Sequence, residues 1–439
     1  MNLFGEKENN RVGTMSPMVL EEEISGEHEE GRDIKPKHRD CTGLLLYNTM
    51  LPLIRSQQIF GLYFHSVCPF RQATGKVKWS VGKIYSTFIL IVICFNFLRY
   101  WSTFKDGFEL GPDLFGKLIF MAWYFECAAN SCTMYHACSS PLGMEAFFFR
   151  WHQIHSVACN SKLAIYRKKT KIYVSTAWVA FAANSAFGFY GIFYTFSMDS
   201  ALAPFSPDMD FWLYVRIAYL IMHIWLSACW SFVGVFGLFI ISLMHWEFKC
   251  FNTMFRSHIK DDGSFSGDFE HWRLRHQKLS SLVSTADGAI SVHIGVSFAC
   301  CILIAILIVY NMIWWPKLLL DPLVAFMFAF WALVSIGSLS LLSIWAAYVH
   351  EEAHALWDDV HQISLKEDAP AHLRAEVTAF MVRLGGPPIG FTTAGLFVID
   401  KECILTIFGL VVTYFVLVIQ FSPGGSTASD GNLCNCTAF

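Results

Sequence analysis

Seven long runs of apolar residues, separated by polar segments, dominate the pattern of this chain. They cover residues 81–101, 114–137, 172–196, 211–244, 290–315, 322–348 and 402–421. Each run is long enough to cross the ~30 Å hydrocarbon core of a bilayer as a helix. Strand-like alternation of apolar and polar residues is absent, which disfavours a membrane barrel. The pattern therefore predicts an all-α membrane protein with seven transmembrane helices.

The segments between and beyond the runs predict the organisation of the chain. Residues 1–40 are acidic and lack the apolar core of a signal peptide, so we expect a disordered cytosolic N-terminus. Gly385-Gly386-Pro387-Pro388 interrupts a helical pattern, because proline disfavours helix at and before its own position. The expected segments after residue 40 are a pre-first-span interfacial helix and linker (41–78), six spans with cytosolic extensions (79–372), an anchor helix and break (373–400), the seventh span (401–421) and an extracellular tail (422–439).

Basic residues set the expected orientation of the spans. Lys and Arg are concentrated in the loops after the second, fourth and sixth runs and are sparse in the other loops. Because cytosolic loops carry the excess of Lys and Arg, we expect a cytosolic N-terminus and an extracellular C-terminus. This orientation is the reverse of that of a G-protein-coupled heptahelical receptor, which remains the alternative with the same number of spans.

Composition narrows the functional classes further. Of the 439 residues, 54% are hydrophobic and only 15% are charged, and the formal net charge is −3. A chain of this composition is expected in the lipid bilayer, and its charge gives no support to nucleic-acid binding. No glycine-rich nucleotide loop, nucleophile motif or cofactor motif is present, so we expect neither an enzyme nor a cofactor.

One five-residue pattern also occurs in a class of enzymes. His350-Glu351-Glu352-Ala353-His354 matches the His-Glu-x-x-His motif of zinc proteases, in which both histidines share a helix face. The stretch lies where the sixth run ends, and no partner segment for a membrane-embedded protease follows it. We expect a solvated or intersubunit helix face without a metal, and keep the membrane zinc protease as a second alternative.

Polar and aromatic residues inside the spans are the candidates for ligand binding. An ionisable group at membrane depth is costly and usually functional, and flat aromatic faces with a few hydrogen-bonding groups suit a small polar, sugar-like ligand or an aromatic one. For single aromatic residues the alternative is the interfacial belt, where Trp and Tyr are enriched in any membrane protein. The candidate ligand-binding residues are Trp123, Tyr124, Glu126, Tyr190, Tyr194, Arg216, Tyr219, His223, Asn311 and Trp331.

The last run carries a thin polar stripe. Thr406, Thr413 and Gln420 lie seven residues apart and share one helix face, with Gly409 beside them. One interpretation is that the threonines bond to their own backbone while the glutamine joins neighbouring helices. The other is that this face lines water at the axis of an oligomer.

The same region carries a family resemblance. Thr413-Tyr414, five apolar residues and Gln420-Phe421 resemble the C-terminal signature of the arthropod gustatory receptors, and Gly395 stands where that family places a glycine ahead of the final helix. Leu51-Pro52-Leu53-Ile54 also resembles the family's segment before the first span.

The resemblance implies a seven-transmembrane taste receptor that acts as a ligand-gated, non-selective cation channel. It further implies a homo- or heterotetramer with related receptors, in which cytosolic helices form a central anchor and the last helix of each subunit lines the pore. Gln420 and Phe421 would then form the gate, Thr413 and Thr406 would line the pathway, and a tastant would bind in an outward-facing pocket of each subunit. The expected location is the plasma membrane of a sensory neuron.

Overall fold

The computed structural model describes residues 45–64, 80–105, 107–108, 112–155, 160–195, 198–205, 207–315, 320–363 and 371–420. The described helices, in chain order, are α1 (Leu45–Ile59), α2 (Val81–Tyr100), α3 (Pro112–Ser139), α4 (Met144–His155), α5 (Asn160–Tyr194), α6 (Trp212–Ala228), α7 (Gly234–Arg256), α8 (Phe269–Trp314), α9 (Pro322–His354), α10 (Trp357–His361), α11 (Ala371–Leu384) and α12 (Lys401–Gln420). The predicted all-α class is confirmed.

The described residues of the seven apolar runs are almost entirely helical, although not every run qualifies as a span. Five helical segments of the described chain are long and apolar enough to cross a membrane: 81–104, 165–194, 212–256, 269–314 and 322–361. Neither α3, which carries Asp113, Lys117 and Glu126, nor α12 is among them. The count of seven spans and their orientation therefore stay predictions.

Two helices extend far beyond the length that a bilayer requires. The α8 helix has 46 residues, so it is about 69 Å long and more than twice the thickness of the hydrocarbon core. The α6 and α7 helices form one continuous rod, interrupted only by a π-helical turn at Cys229–Val233. A π turn inserts an extra residue and rotates the helix faces on either side, so α6 and α7 present different stripes to their neighbours.

The core of the bundle is built around α8. It contacts α3, α9, α4 and α7, and α11 packs against its first half. In that first half, Phe380 of α11 lies among the rings of Phe255, Phe269 and His276, and it is fully buried. The long helices thus bury their extensions against each other and against α11.

Helix ends are fixed by side chains at the expected positions. Asp268 accepts a hydrogen bond from the backbone N–H of His271, and Asp321 accepts from Leu323 directly before α9. Asp400 does the same for α12 through the N–H of Cys403, at 2.7 Å. Such caps satisfy donors that the first helical turn leaves without partners.

Candidate functional site

A small cavity with aromatic walls lies among α3, α5, the π turn, α8 and α9. Its volume is ≈ 30 Å³, which is room for only one or two water molecules. The walls combine tryptophan and phenylalanine rings with aliphatic side chains and two polar groups. The lining residues are Ile119, Phe120, Trp123, Asn184, Trp230, Ile304, Ile308, Trp331 and Ser335. We call this space the aromatic cavity.

Asn184 organises the polar wall of the aromatic cavity. The Trp331 indole N–H donates to its Oδ1 at 2.8 Å, and its own amide group donates to Ser227 at 2.9 Å. His223 Nε2 lies 3.2 Å from the backbone oxygen of Asn184, so this nitrogen carries the proton and donates. The other ring nitrogen, Nδ1, then holds a lone pair, and it has no partner among the described residues. His223 itself does not line the cavity, but its ring packs against that of Trp123, with 5.2 Å between the centroids, and so supports the wall.

A glycine allows this close packing. A Cβ atom at Gly188 of α5 would lie 2.0 Å from His223 Nε2, closer than any side chain allows. Only glycine at this position lets α5 and α6 approach closely enough for His223 to reach the Asn184 backbone.

The predicted residues Tyr124 and Tyr219 lie behind the aromatic cavity rather than in its wall. Their hydroxyl groups hydrogen-bond to each other, and both side chains are buried. Tyr100 packs edge-on against Tyr124 with 4.9 Å between the ring centroids. These tyrosines join α2, α3 and α6 and support the wall.

Four other candidates lie at one end of the bundle. Arg216 pairs with Asp199 at 3.7 Å, and its guanidinium lies over the Trp212 ring. Tyr190 donates to Asp321 at 2.8 Å, and this bond holds the pKa of Asp321 below its usual value. Tyr194 stacks on Tyr190 and is exposed, whereas Asn311 is buried on α8. None of these four residues lines the aromatic cavity.

Glu126 lies outside the aromatic cavity. It is buried on α3, one helical turn beyond Trp123, and lines a second cavity between α5 and α9. Of the ten candidate ligand-binding residues, only Trp123 and Trp331 line the aromatic cavity. Sequence reasoning missed Asn184 and Trp230. Asn184 could have been found, because it is an amide in the middle of an apolar run. Trp230 could not be found in this way, because the π turn determines the direction of its side chain.

The α12 helix packs against α8 and α9 along one narrow stripe. The less exposed side chains, at 403, 404, 407, 411 and 415, follow the spacing of a single helix face. Thr406, Thr413 and Gln420 are exposed, and at 100° per residue they lie roughly 130–170° around the helix from that stripe.

Both threonines of the polar stripe bond to their own helix. Thr406 donates to the carbonyl of Glu402 at 2.9 Å, and Thr413 donates to that of Gly409 at 2.8 Å. These bonds match the first interpretation of the stripe, yet each hydroxyl oxygen keeps a lone pair directed away from the subunit. Phe421, the other predicted gate residue, lies outside the described residues.

The segment before α12 is attached to α8 by a carboxyl group. Asp287 accepts hydrogen bonds from both the backbone N–H and the hydroxyl of Thr392, at 2.7 and 2.8 Å. The Ala394 N–H donates to the carbonyl of Ser291, and Gly395, with a φ of 76°, completes the turn in a conformation that favours glycine. We call this set of contacts the Asp287 clamp.

The histidines of the zinc-protease pattern attach the same region to α9. His354 contacts the carbonyl of Leu384 through Nδ1 at 2.5 Å and accepts from the Ile389 N–H through Nε2 at 3.1 Å. His350 Nδ1 lies 3.1 Å from the carbonyl of Ile389, and Glu351 pairs with Lys401 at 2.7 Å. Both ring nitrogens of His354 are thus engaged, and a metal would have to displace one of these bonds.

Comparison with known proteins identifies relatives at three levels. The family described as 7tm chemosensory receptors matches residues 50–424. Gustatory receptor 28b of Drosophila melanogaster is 32% identical over 77 residues, which are 18% of this chain and 16% of that protein. The match thus spans about a sixth of that curated relative.

The fold is also that of a solved structure. The insect olfactory receptor OR5 from Machilis hrabei superposes with a TM-score of 0.66 at 14% identity, over 87% of this chain and 100% of that chain. Its complex with eugenol gives the same values. At this level of identity, the likeness establishes the fold.

Proposed function

Because the chain belongs to the 7tm chemosensory receptor family, we propose that it is a taste receptor that works as a ligand-gated, non-selective cation channel. The proposed assembly is a homo- or heterotetramer in the plasma membrane of a sensory neuron, with the amino terminus in the cytosol. Four α12 helices would line one pore, with Thr406, Thr413 and Gln420 on the face toward the axis and with Gln420 and Phe421 at the gate.

The observation that carries this proposal is the exposure of α12. Leu405 and Phe408 are 73% and 69% exposed in the single subunit, and the polar stripe faces away from the subunit as well. An apolar helix that its own chain leaves uncovered must meet lipid or other subunits. A polar stripe gains nothing from lipid, so the arrangement favours several α12 helices around a water-filled axis.

The aromatic cavity is the proposed tastant site. Its tryptophan and phenylalanine faces suit a flat molecule, and the Asn184 amide and the Ser335 hydroxyl supply polar groups in the lining. At ≈ 30 Å³ the cavity is too small for a tastant, so binding must move a wall. Trp331 on α9 and Trp230 on the π turn are large side chains of this wall, and their displacement by a ligand would shift the helices that carry them.

A matched pair of tryptophan variants tests this assignment. Trp331→Ala removes a wall of the aromatic cavity, and we expect at least a tenfold higher ligand concentration for half-maximal current, equivalent to about 1.4 kcal/mol. Trp178→Ala removes a tryptophan of α5 that bonds to Ser56 outside the cavity, and it should leave that concentration unchanged. The measurement is the current evoked by a tastant panel in cells expressing this chain alone, with surface expression quantified. Equal shifts in both variants would place the tastant elsewhere.

A further inference from the structure

The described residues also line a cavity much larger than the aromatic one. A second cavity of ≈ 710 Å³ opens between α5 and α9, and Ile172, Val179 and Leu341 at its mouth are half-exposed or more. It extends from Phe330 to Leu342, about 18 Å along α9, which is more than half of the ~30 Å hydrocarbon core. We call it the α5–α9 groove. Since its mouth lies on apolar runs of two spanning helices, the groove opens sideways into the bilayer.

Polar groups form the floor of the α5–α9 groove. Glu126, Ser231 and His293 line it and are only 3%, 4% and 2% exposed. Glu126 Oε2, Ser231 Oγ and His293 Nε2 have no hydrogen-bond partner among the described residues. Buried polar atoms without a hydrogen-bond partner cost about 1–3 kcal/mol each, so a hydrogen-bonding group would bind strongly at the floor.

The protonation state of His293 indicates which kind of ligand group could form hydrogen bonds with the floor of the groove. His293 Nδ1 lies 2.7 Å from Oδ1 of Asn130, and an amide oxygen only accepts, so Nδ1 carries the proton. The free Nε2 is therefore an acceptor, while the Ser231 hydroxyl, and the Glu126 carboxyl when it is protonated, can donate or accept. The group that satisfies this set both donates and accepts a hydrogen bond, as a hydroxyl does.

Glycines keep the groove open. Gly234 of α7 and Gly337 of α9 both line it, and a Cβ atom at either position would meet nothing within 4 Å. A glycine inside a helix costs about 1 kcal/mol relative to alanine, so these residues preserve space at the expense of helix stability.

We propose that the α5–α9 groove is a second ligand site, which binds a lipophilic alcohol that enters from the bilayer. The hydroxyl lies on the floor formed by Glu126, Ser231 and His293, and the apolar body lies along the walls toward α5 and α9. The ligand is uncharged because a charged group would pay heavily to cross the hydrocarbon. The groove shares only Trp230 with the aromatic cavity, so its occupant would touch one wall of the proposed tastant site.

Photolabelling tests this site without measuring channel current. The full chain is reconstituted in phosphatidylcholine nanodiscs and labelled with a diazirine-bearing decanol, or with its methyl ether as the matched probe that lacks a donor. We expect the alcohol to label residues of 172–180 and 330–342, at least tenfold more than the ether does. Gly337→Leu should project a bulky side chain into the groove and lower this labelling at least tenfold, whereas Gly337→Ala should retain it. Gly234→Leu serves as the filling variant if Gly337→Leu does not fold.

Each contrary result overturns the proposal. Equal labelling by alcohol and ether would show that the groove takes any apolar chain, such as a lipid tail. Labelling confined to the aromatic cavity, at Trp123 or Asn184, would show that the groove is not a separate site. Labelling that survives in folded Gly337→Leu and Gly234→Leu proteins would place the alcohol outside the groove.

Discussion

The helices α8 and α12 are both long apolar segments in sequence, yet the structure uses them in opposite ways. Leu282, Ile294 and Ile308 of α8 are fully buried, and the helix is surrounded by α3, α7, α9 and α11. On α12, Leu405 and Phe408 are largely exposed, and only one stripe touches the rest of the subunit. Hydrophobicity alone does not separate these cases, because lipid and protein neighbours are equally apolar.

The difference indicates that α8 and α12 have different structural roles within the subunit. The α8 helix is a scaffold whose contacts are complete in one copy of the chain. The exposed faces of α12 can be covered only by lipid or by other subunits. The segment before α12 is held to α8 by the polar contacts of the Asp287 clamp. An element with few buried contacts is free to shift at low cost, which is what a gating helix requires.

Matched leucine-to-alanine variants should give the largest contrast. Leu282→Ala leaves a cavity in the fully buried scaffold and should lower the free energy of unfolding by about 2–5 kcal/mol. Leu405→Ala changes a side chain that is 73% exposed and should stay within about 0.5 kcal/mol for the single subunit. Thermal unfolding of dispersed, detergent-solubilised subunits measures both. A loss at position 405 as large as that at 282 would mean that α12 is packed within its own chain.

The sequence predicted the fold where length and periodicity decide it. Each apolar run forms a helix because only internal hydrogen bonding satisfies the backbone in lipid. The α4 helix was not anticipated, since 12 residues are too few for a span and Phe147, Phe148 and Trp151 are buried through contacts with distant parts of the chain. Short helices of this kind depend on tertiary packing rather than on a local pattern.

The Asp287 clamp is expected to give the second largest contrast. Asp287→Ala removes two hydrogen bonds from Thr392, and bonds to a carboxylate are worth about 1.5–3 kcal/mol each. We expect amide hydrogen exchange across 391–399 to accelerate at least tenfold. The control is Glu351→Ala, which breaks a solvent-exposed pair with Lys401 of the kind that contributes only about 0–1 kcal/mol. If Glu351→Ala accelerates exchange as much as Asp287→Ala, the segment is attached through α9 instead.

The candidate site was only partly predictable, for geometric reasons. Trp123 and Trp331 were found because large aromatic residues in spans are conspicuous, but Glu126, three residues beyond Trp123, reaches a different cavity. A step of three residues moves a side chain one turn along the helix, about 4.5 Å, which is enough to change its neighbours. Trp230 could not be assigned from a regular helical period because the π turn rotates its face.

The polar stripe of α12 gives the smallest and most specific effect. Gln420→Ala removes an amide that can bridge neighbouring subunits, and such bonds in membranes are worth about 0.6–2 kcal/mol. Summed over four subunits, that loss should raise the basal current by shifting the closed–open equilibrium.

Cysteine substitution then shows which face of α12 lines the pore. Cysteines replacing Thr406, Thr413 and Gln420 should react with water-soluble thiol reagents and block the current. Phe408→Cys is the matched control, because Phe408 is 69% exposed in the single subunit but lies about 140° around the helix from Thr413. If modification at 408 blocks the current while 406, 413 and 420 stay inert, the polar stripe faces its own backbone and neighbouring helices, and another face of α12 lines the pore.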